Sequence, residues 1–399
     1  MRSVRVRAIT ELSRACVAAQ LLVVLAAMSA SAVTLKVMTF NIKSSATGIG
    51  FDQHESWDYA FSNSNDRRDR VLSVINTSSP DILGVQELRS GQLDYMDDRL
   101  PDYFYYGVGR NTGTDSDSAE RSGIFYKKSR FRPLGQGEFW LSETPSVPGT
   151  TFTGNGGDTN NPRMATWMKL FDYQSNEAYF VINTHWSLDS AARAESGMLM
   201  REMIIALSDG LPVIATGDFN ETTAGTGYAR LARRQSPEQF NLSNGYFDSG
   251  APIGKTFHGY DGGIAGNPID FVLYSTEDFH AISGSIVRIS FDGFLPSDHY
   301  PVEVTLEIVP AIPGDYNRDG VVDAMDIATW RAAFGSLSAL NSDGNGNGIV
   351  DAADYVVARN NFAVNHASGS QYVVPEPSTA TCSLFVLTII ILGYRRPAN

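Results

Sequence analysis

The sequence predicts an α/β layered domain followed by a small all-α module, on three observations. Short apolar runs of strand character alternate with helical patterns from about Val33 to Val309, the order expected of a layered α/β domain. Pro310, Pro313 and Gly314 then interrupt the pattern and mark a boundary. After them an acidic loop, a glycine, an aliphatic residue and a helix occur twice, over Asp315 to Phe334 and again over Asp343 to Phe362.

Within the first domain, Leu35 to Phe40 alternates inward and outward as a strand does. Arg67 to Ile75 has helical spacing, with Val71, Leu72 and Ile75 on one face. Asp81 to Gln86 reads as a buried strand, and Gly123 to Tyr126, Ala165 to Phe171 and Tyr179 to Asn183 repeat that pattern. Arg193 to Leu207 is a second helix, followed by strands at Pro212 to Thr216, Ile269 to Tyr274 and Val302 to Ile308.

The two ends read as addresses rather than as fold. Arg2, Arg5, Arg7 and Arg14 precede an apolar run from Ala15 to Met28 that closes on Ala30-Ser31-Ala32. A basic start, a short apolar core and a small-x-small site make a cleavable signal peptide over 1–32. The run is too short for the roughly 20 residues of a membrane span. At the other end, Val374-Pro375-Glu376-Pro377 leads into an uncharged stretch and then Arg395-Arg396. That order resembles the PEP-CTERM sorting signal of Gram-negative bacteria, which implies removal of the 378–399 tail by a sorting protease of the cell envelope. A Ser/Gly/Pro-rich linker precedes it at 366–377.

Composition narrows the chemistry. The 399 residues include only two cysteines, Cys16 and Cys382, both in the terminal segments. The body of the chain therefore has no thiol for catalysis and no disulfide. The formal charge is −13, and 33–309 alone holds 22 Lys+Arg against 35 Asp+Glu, again −13. Such a surface repels polyanions at long range, so nucleic acid is a possible substrate that net charge does not favour.

Five short polar clusters each follow or interrupt an apolar strand: Thr39-Phe40-Asn41, Gln86-Glu87, Asn183-Thr184-His185, Gly217-Asp218-Phe219-Asn220 and Ser297-Asp298-His299. A sixth, Ile269-Asp270-Phe271-Val272, belongs with them. A lone Asp-His pair is usually a turn, and a lone Gly-Asp a strand exit. Placed together at strand ends, their groups can converge at one edge of a sheet. Carboxylate and amide oxygens there suit Mg²⁺ or Mn²⁺, and imidazoles beside them offer acid and hydrogen-bond donor roles. No serine–histidine nucleophile motif and no Gly-x-x-x-x-Gly-Lys loop is present, so water is the expected nucleophile.

In this order, over about 35–308, the motifs resemble the endonuclease/exonuclease/phosphatase superfamily, whose fold is a four-layered α/β sandwich of the DNase I-like kind. The resemblance implies a metal-dependent phosphoric ester hydrolase acting by in-line attack of an activated water. It implies Glu87 as the principal metal ligand with Asn41 and Asp298 assisting, and Asp218 as the group that positions or deprotonates water. Asn220 would hold the phosphate, His185 and His299 would donate to the developing charge or the leaving oxygen, and Asp270 would orient a histidine. Arg163 is a candidate phosphate contact, equally readable as a surface ion-pair partner. Trp57, Trp140 and Trp186 are candidates to line the cleft, with core packing the expected role of at least one or two of them. Phe139 to Pro145 and the Pro-Arg-x-Ala-Thr-Trp element resemble a secreted bacterial branch related to deadenylase-like members, and the body without cysteines departs from disulfide-bearing secreted DNases.

The duplicated loops carry oxygen donors at calcium spacing: Asp315, Asn317, Asp319, the Val321 carbonyl and Asp326, then Asp343, Asn345, Asn347, the Ile349 carbonyl and Asp354. Donors at positions one, three, five, seven and twelve, with glycine at six, wrap Ca²⁺. Without first flanking helices, and with Asp at position twelve, the pair over about 313–365 resembles a type I dockerin, which implies a cohesin partner. A calcium-stabilised spacer is the alternative role. For the whole chain, the competing reading is an inactive phosphoesterase fold serving as a surface scaffold or adhesion protein.

Overall fold

The computed structural model describes residues 32–45, 56–57, 66–152, 161–233, 241–337 and 340–362. The signal peptide, linker and sorting tail expected from the sequence lie outside the described residues, apart from residue 32. Two six-stranded mixed sheets pack face to face. In the first the order is β11 (Phe279–Ile286), β12 (Val302–Ile308), β1 (Thr34–Asn41), β2 (Ile82–Leu88), β4 (Arg121–Lys127) and β3 (Tyr103–Tyr106). In the second it is β5 (Phe131–Trp140), β6 (Met164–Asp172), β7 (Glu177–His185), β8 (Val213–Asp218), β10 (Asp270–Ser275) and β9 (Leu242–Asn244).

Helices cover both outer faces and complete four layers. Val71, Leu72, Val74 and Ile75 of α1 (Arg67–Ser78) and Met96 of α2 (Ser90–Asp97) pack on Met38, Phe40, Leu83 and Val85. On the far side, Met200 and Ile204 of α3 (Ser190–Leu207) and Leu231 of α4 (Thr226–Ala232) pack on Phe180, Ile182, Val213 and Ala215. A one-turn helix, α5 (Gly245–Asp248), follows β9. The α1 helix runs three residues past the expected Ile75, and α3 begins earlier, where Asp189 accepts a hydrogen bond from the Ala192 N–H and so caps an otherwise unsatisfied donor.

The alternation of side chains along a strand determines what the inner faces carry. Leu35 and Val37, Ile82, Tyr179 and Val181, Ile214, and Val272 and Tyr274 fill the layer between the sheets. One step further along β1, β2, β7 and β8 the inner positions turn polar. Asn183 is fully buried there. Its Nδ2 donates to the carbonyls of Val85 (3.0 Å) and Gly123 (2.8 Å), and its Oδ1 accepts from Gln86 Nε2 (2.7 Å) and Thr216 Oγ1 (3.0 Å). Gln86 Nε2 also donates to Thr39 Oγ1 at 2.9 Å. These bonds bolt the sheets together and satisfy groups that would otherwise be buried at a cost. Gly84 lies between them, where an added Cβ would meet Thr216 Oγ1 at 2.1 Å and Asn183 Oδ1 at 2.6 Å.

Four strands were not foreseen, for identifiable reasons. β5 carries Pro133, Gly135 and Gly137, and its register slips between Pro133 and Gly135. β11 faces water along most of its length and has a bulge between Ala281 and Ser283. β3 and β9 are only four and three residues long.

Beyond β12, α6 (Ala324–Ala333) and α7 (Ala352–Asn361) each follow an acidic loop of the same construction. Asp315 accepts from the N–H groups of Asp319 and Gly320, and Asp343 from those of Asn347 and Gly348. Gly320 and Gly348 have φ of 87° and 88°, a left-handed conformation that only glycine adopts cheaply. Asp326 and Asp354 are fully buried, each accepting from the backbone N–H of Asp323 or Asp351 at 2.7 Å. The repeats pair through Gly335 N–H to the Val350 carbonyl and Val350 N–H to the Ser336 carbonyl. Arg318 docks the first loop on the sandwich, with Nη1 2.6 Å from Asp278 Oδ1 and Nη2 3.5 Å from Glu177 Oε2. Among the described residues no helix is long and apolar enough to cross a membrane.

Candidate active site

The inner-face alternation that builds the core also delivers the site. Asn41 continues the inner series Leu35, Val37, Thr39; His185 continues Tyr179, Val181, Asn183; Asp218 continues Ile214 and Thr216. β1 and β2 run parallel, as do β7 and β8, so their C-terminal ends lie together. β10 and β12 run antiparallel to β8 and β1, bringing Asp270 and the Asp298-His299 approach to the same edge. Asp270 pairs directly with Asp218.

Glu87 reaches this edge by breaking the alternation. The β2–β4 register shifts between Val85 and Leu88, and Glu87 has φ of 59°. A bulge of this kind re-aims a side chain. Lys43 (φ 56°) and Asn220 (φ 50°) are also left-handed, so three residues at one edge hold a conformation that costs an L-residue free energy.

Two donor groups face each other across the edge. Asn41 Nδ2 lies 3.2 Å from Glu87 Oε1 and 3.0 Å from Asp218 Oδ2. The Ser44 N–H donates to Glu87 Oε2 at 2.9 Å, and Lys43 Nζ lies 3.0 Å from Asp298 Oδ2 and 3.9 Å from Glu87 Oε2. Ser297 Oγ donates to the Asn41 carbonyl at 2.7 Å, pinning the Asp298 turn to β1. In the second group, His299 Nδ1 is 2.9 Å from Asp270 Oδ2, and His299 Nε2 is 3.7 Å from Asp218 Oδ2. His185 Nε2 lies 3.5 Å from the same Asp218 oxygen. The Asn220 N–H donates to Asp218 Oδ1 at 2.9 Å, and Asn220 Nδ2 donates to the Trp186 carbonyl.

Protonation divides the two imidazoles. Burial opposes charge on His299, but Asp270 and Asp218 outweigh it and hold its pKa well above the ordinary value, so it is an imidazolium at neutral pH. Burial lowers His185, and the nearby cations Arg163, Arg110, His299 and Lys43 lower it further; it stays neutral. Burial and the Asp270 charge push the Asp218 carboxyl upward, against the pull of His299 and Asn41. A carboxylate raised toward the working pH is a better base than an ordinary one.

Asp218, Asp270 and His299 bring ligand atoms within 4.8 Å of one another and could hold a metal ion. Within this trio His299 Nδ1 is already engaged by Asp270. Asn41, Glu87 and Asp298 offer hard oxygen donors, which fit Mg²⁺ or Mn²⁺. The same edge opens into a pocket of ≈ 430 Å³ bordered by Lys43, Glu87, Arg110, Arg163, His185, Leu188, Asn220, Phe257 and His299, among others.

The cleft-lining reading of the tryptophans is corrected: core packing, expected of at least one or two, holds for all three. Trp57, Trp140 and Trp186 are all buried, and none borders the pocket. Trp186 packs edge-on against Phe219 with its Nε1 toward Met200, Trp57 lies under the Arg67 guanidinium, and Trp140 donates to the Arg110 carbonyl. Arg163 does border the pocket. Lys43, Arg110, Leu188 and Phe257 were missed. Lys43 could have been found, being two residues from Asn41; Arg110 and Phe257 sit in segments without strand periodicity.

A four-layered sandwich with acids, imidazoles and a hard-oxygen cradle at one sheet edge defines a phosphoesterase architecture. The chain belongs to the endonuclease/exonuclease/phosphatase family, which it matches over residues 38–299 and whose members are metal-dependent phosphoesterases. It is similar to the crystal structure of a family protein from Bacteroides thetaiotaomicron, with 29% identity and a TM-score of 0.59 over 69% of this chain and 95% of that one. It is also similar to a mannosyl-6-phosphatase of Bacteroides thetaiotaomicron, with 28% identity and a TM-score of 0.57 over 68% of this chain and 99% of that one. An uncharacterised protein of Acanthamoeba polyphaga mimivirus is 23% identical over 210 residues, 46% of this chain, which spans only 30% of that relative's length.

Proposed function

We propose that the chain is an exported phosphoesterase that cleaves a phosphomonoester or phosphodiester by in-line attack of water. The observation that carries this reading is the facing pair of groups: a hard-oxygen cradle (Asn41, Glu87, Asp298) and a charged relay (Asp218, His299, Asp270) at one pocket. Mg²⁺ or Mn²⁺ in the cradle would supply neutralisation of phosphoryl charge. Asp218, ionised, aims water and accepts its proton. His299, held protonated by Asp270, gives a proton to the leaving oxygen. Neutral His185 donates a hydrogen bond to the developing charge, and Asn220, with a second amide hydrogen beyond the one given to Trp186, donates another. Arg163 and Arg110 supply positive potential on the wall.

The bordering residues favour a leaving group with a ring. Phe257 is 49% exposed with its ring 5.0 Å from that of His299, and Leu188 is 70% exposed. Together with the likeness to the mannosyl-6-phosphatase, this makes a sugar phosphomonoester the first substrate to try. A panel of hexose phosphates, nucleotides, sphingomyelin, inositol phosphates and single- and double-stranded nucleic acid, each with Mn²⁺, tests the reading. We expect hydrolysis of at least one member that a chelator abolishes; no metal-dependent turnover across the panel would leave the inactive scaffold as the better account.

The two acidic loops are read as Ca²⁺ sites. Burial and the neighbouring Asp326 or Asp354 charge raise the carboxyls of Asp315 and Asp343, despite backbone hydrogen bonds that lower them, and a cation would relieve that repulsion. A cohesin domain is the partner this module would take. Export and tail processing rest on the terminal sequences; mass spectrometry of the mature protein should find an N-terminus near Val33 and no residues of the 378–399 tail, and retention of both ends would refute them.

A further inference from the structure

Lys43 occupies an unusual place. Its ammonium lies between Asp298 Oδ2, at 3.0 Å, and Glu87 Oε2, at 3.9 Å, and these are the two carboxylates assigned to the metal cradle. We propose that Lys43 is a resident counter-ion of that cradle, displaced from Glu87 and Asp298 when the divalent ion binds. The inference rests on the metal reading given above, and it adds a competitor built into the chain.

The geometry determines which partner must move. Glu87 is held on both oxygens, by Asn41 Nδ2 and by the Ser44 N–H, and its backbone is fixed in the bulge. The Asp298 turn is pinned through Ser297 to the Asn41 carbonyl. The Lys43 backbone is clamped as well: its N–H donates to Asn41 Oδ1, and its carbonyl accepts from Arg67 Nη2 and Gln92 Nε2, both at 3.0 Å. What remains to move is the four-carbon stem, whose flexibility suits a mobile point charge. A divalent ion and an ammonium cannot share the same two carboxylate oxygens without strong like-charge repulsion. The side chain is 24% exposed and borders the pocket shared with Arg110 and Arg163, so the displaced ammonium has somewhere to go. There it would add positive charge to the phosphate side, and metal and phosphate would bind cooperatively.

Lys43→Met keeps the length of the stem and removes the charge. Titrated with Mn²⁺ in the full chain, the calorimetric event that Glu87→Ala abolishes should tighten about fivefold in Lys43→Met, the scale of one partly exposed ion pair no longer to be broken. In the unsubstituted protein, reductive methylation of Lys43, followed by peptide mass spectrometry, should be slow without metal and several-fold faster with Mn²⁺. Unchanged or weaker Mn²⁺ binding by Lys43→Met, or a methylation rate that Mn²⁺ leaves unaltered, would overturn the displacement while leaving the metal reading intact. The absence of any Glu87-dependent Mn²⁺ event would remove both.

Discussion

Glu87→Ala is expected to abolish one Mn²⁺-binding event and to lower kcat by about three orders of magnitude, the several kcal/mol that a Lewis-acid ion supplies to phosphoryl transfer. The expectation follows from how much structure is spent on aiming this one side chain. The β2–β4 ladder shifts register at Gln86-Glu87, and the residue holds a left-handed φ of 59°. Both carboxylate oxygens are then oriented, one by Asn41 and one by the Ser44 N–H. A carboxylate kept only for packing would not need the bulge, because Leu83 and Val85 of the same strand pack without one. The substitution removes no apolar contact of the core, so folding should survive, and the cooperative thermal unfolding transition followed by circular dichroism should be retained. Loss of that transition together with the Mn²⁺ event would mean that the variant had unfolded. Full activity with the Mn²⁺ event gone would remove Glu87 from the mechanism.

Much of this arrangement was legible in the sequence because it follows alternation. Asn41, His185, Asp218 and Asp270 are in phase with the apolar residues that face the opposite sheet, so a strand pattern long enough to recognise also tells which polar residue at its end points inward. The polar clusters nevertheless mix two roles that spacing does not separate. Gln86 and Asn183 stand near Glu87 and His185 in sequence, yet they are inter-sheet bolts that do not border this pocket. Trp186 was a cleft candidate for a related reason: it directly follows His185, but the next residue along an extended chain faces the opposite side, and here that side is the α3-covered core. Arg110 and Phe257 were invisible because loops have no period; their positions are set by long-range contacts, such as Trp140 Nε1 to the Arg110 carbonyl and the bridge from Phe257 to His299. The bulge at Glu87 was equally unreadable, since it arises from pairing with β4 and not from residue type.

The relay gives the second large effect. Asp270→Asn should lower kcat by about 10²- to 10⁴-fold, the contribution typical of a positioned general acid. His299 is buried, and burial alone would strip its proton; Asp270, at 2.9 Å from Nδ1, and then Asp218 reverse that. Without the Asp270 charge the ring should lose its proton near or below the ordinary value of 6.5, and the alkaline limb of the pH–rate profile should move down with it. The sign for stability is the same. A histidine whose folded pKa is raised contributes stability that is complete below 6.5 and fades as pH rises through the folded value. Asp270→Asn should therefore cost most stability in mildly acidic solution, where histidine is charged and carboxylates are still ionised, and little in strong alkali. The chain has six histidines, so the His299 resonance is assigned by its loss in His299→Gln, and its titration is followed by NMR in each background. An Asp270→Asn protein whose His299 still titrates well above 6.5 would show that the proton is held by Asp218 instead. The pair at 3.7 Å, and not the orienting carboxylate, would then set the acid.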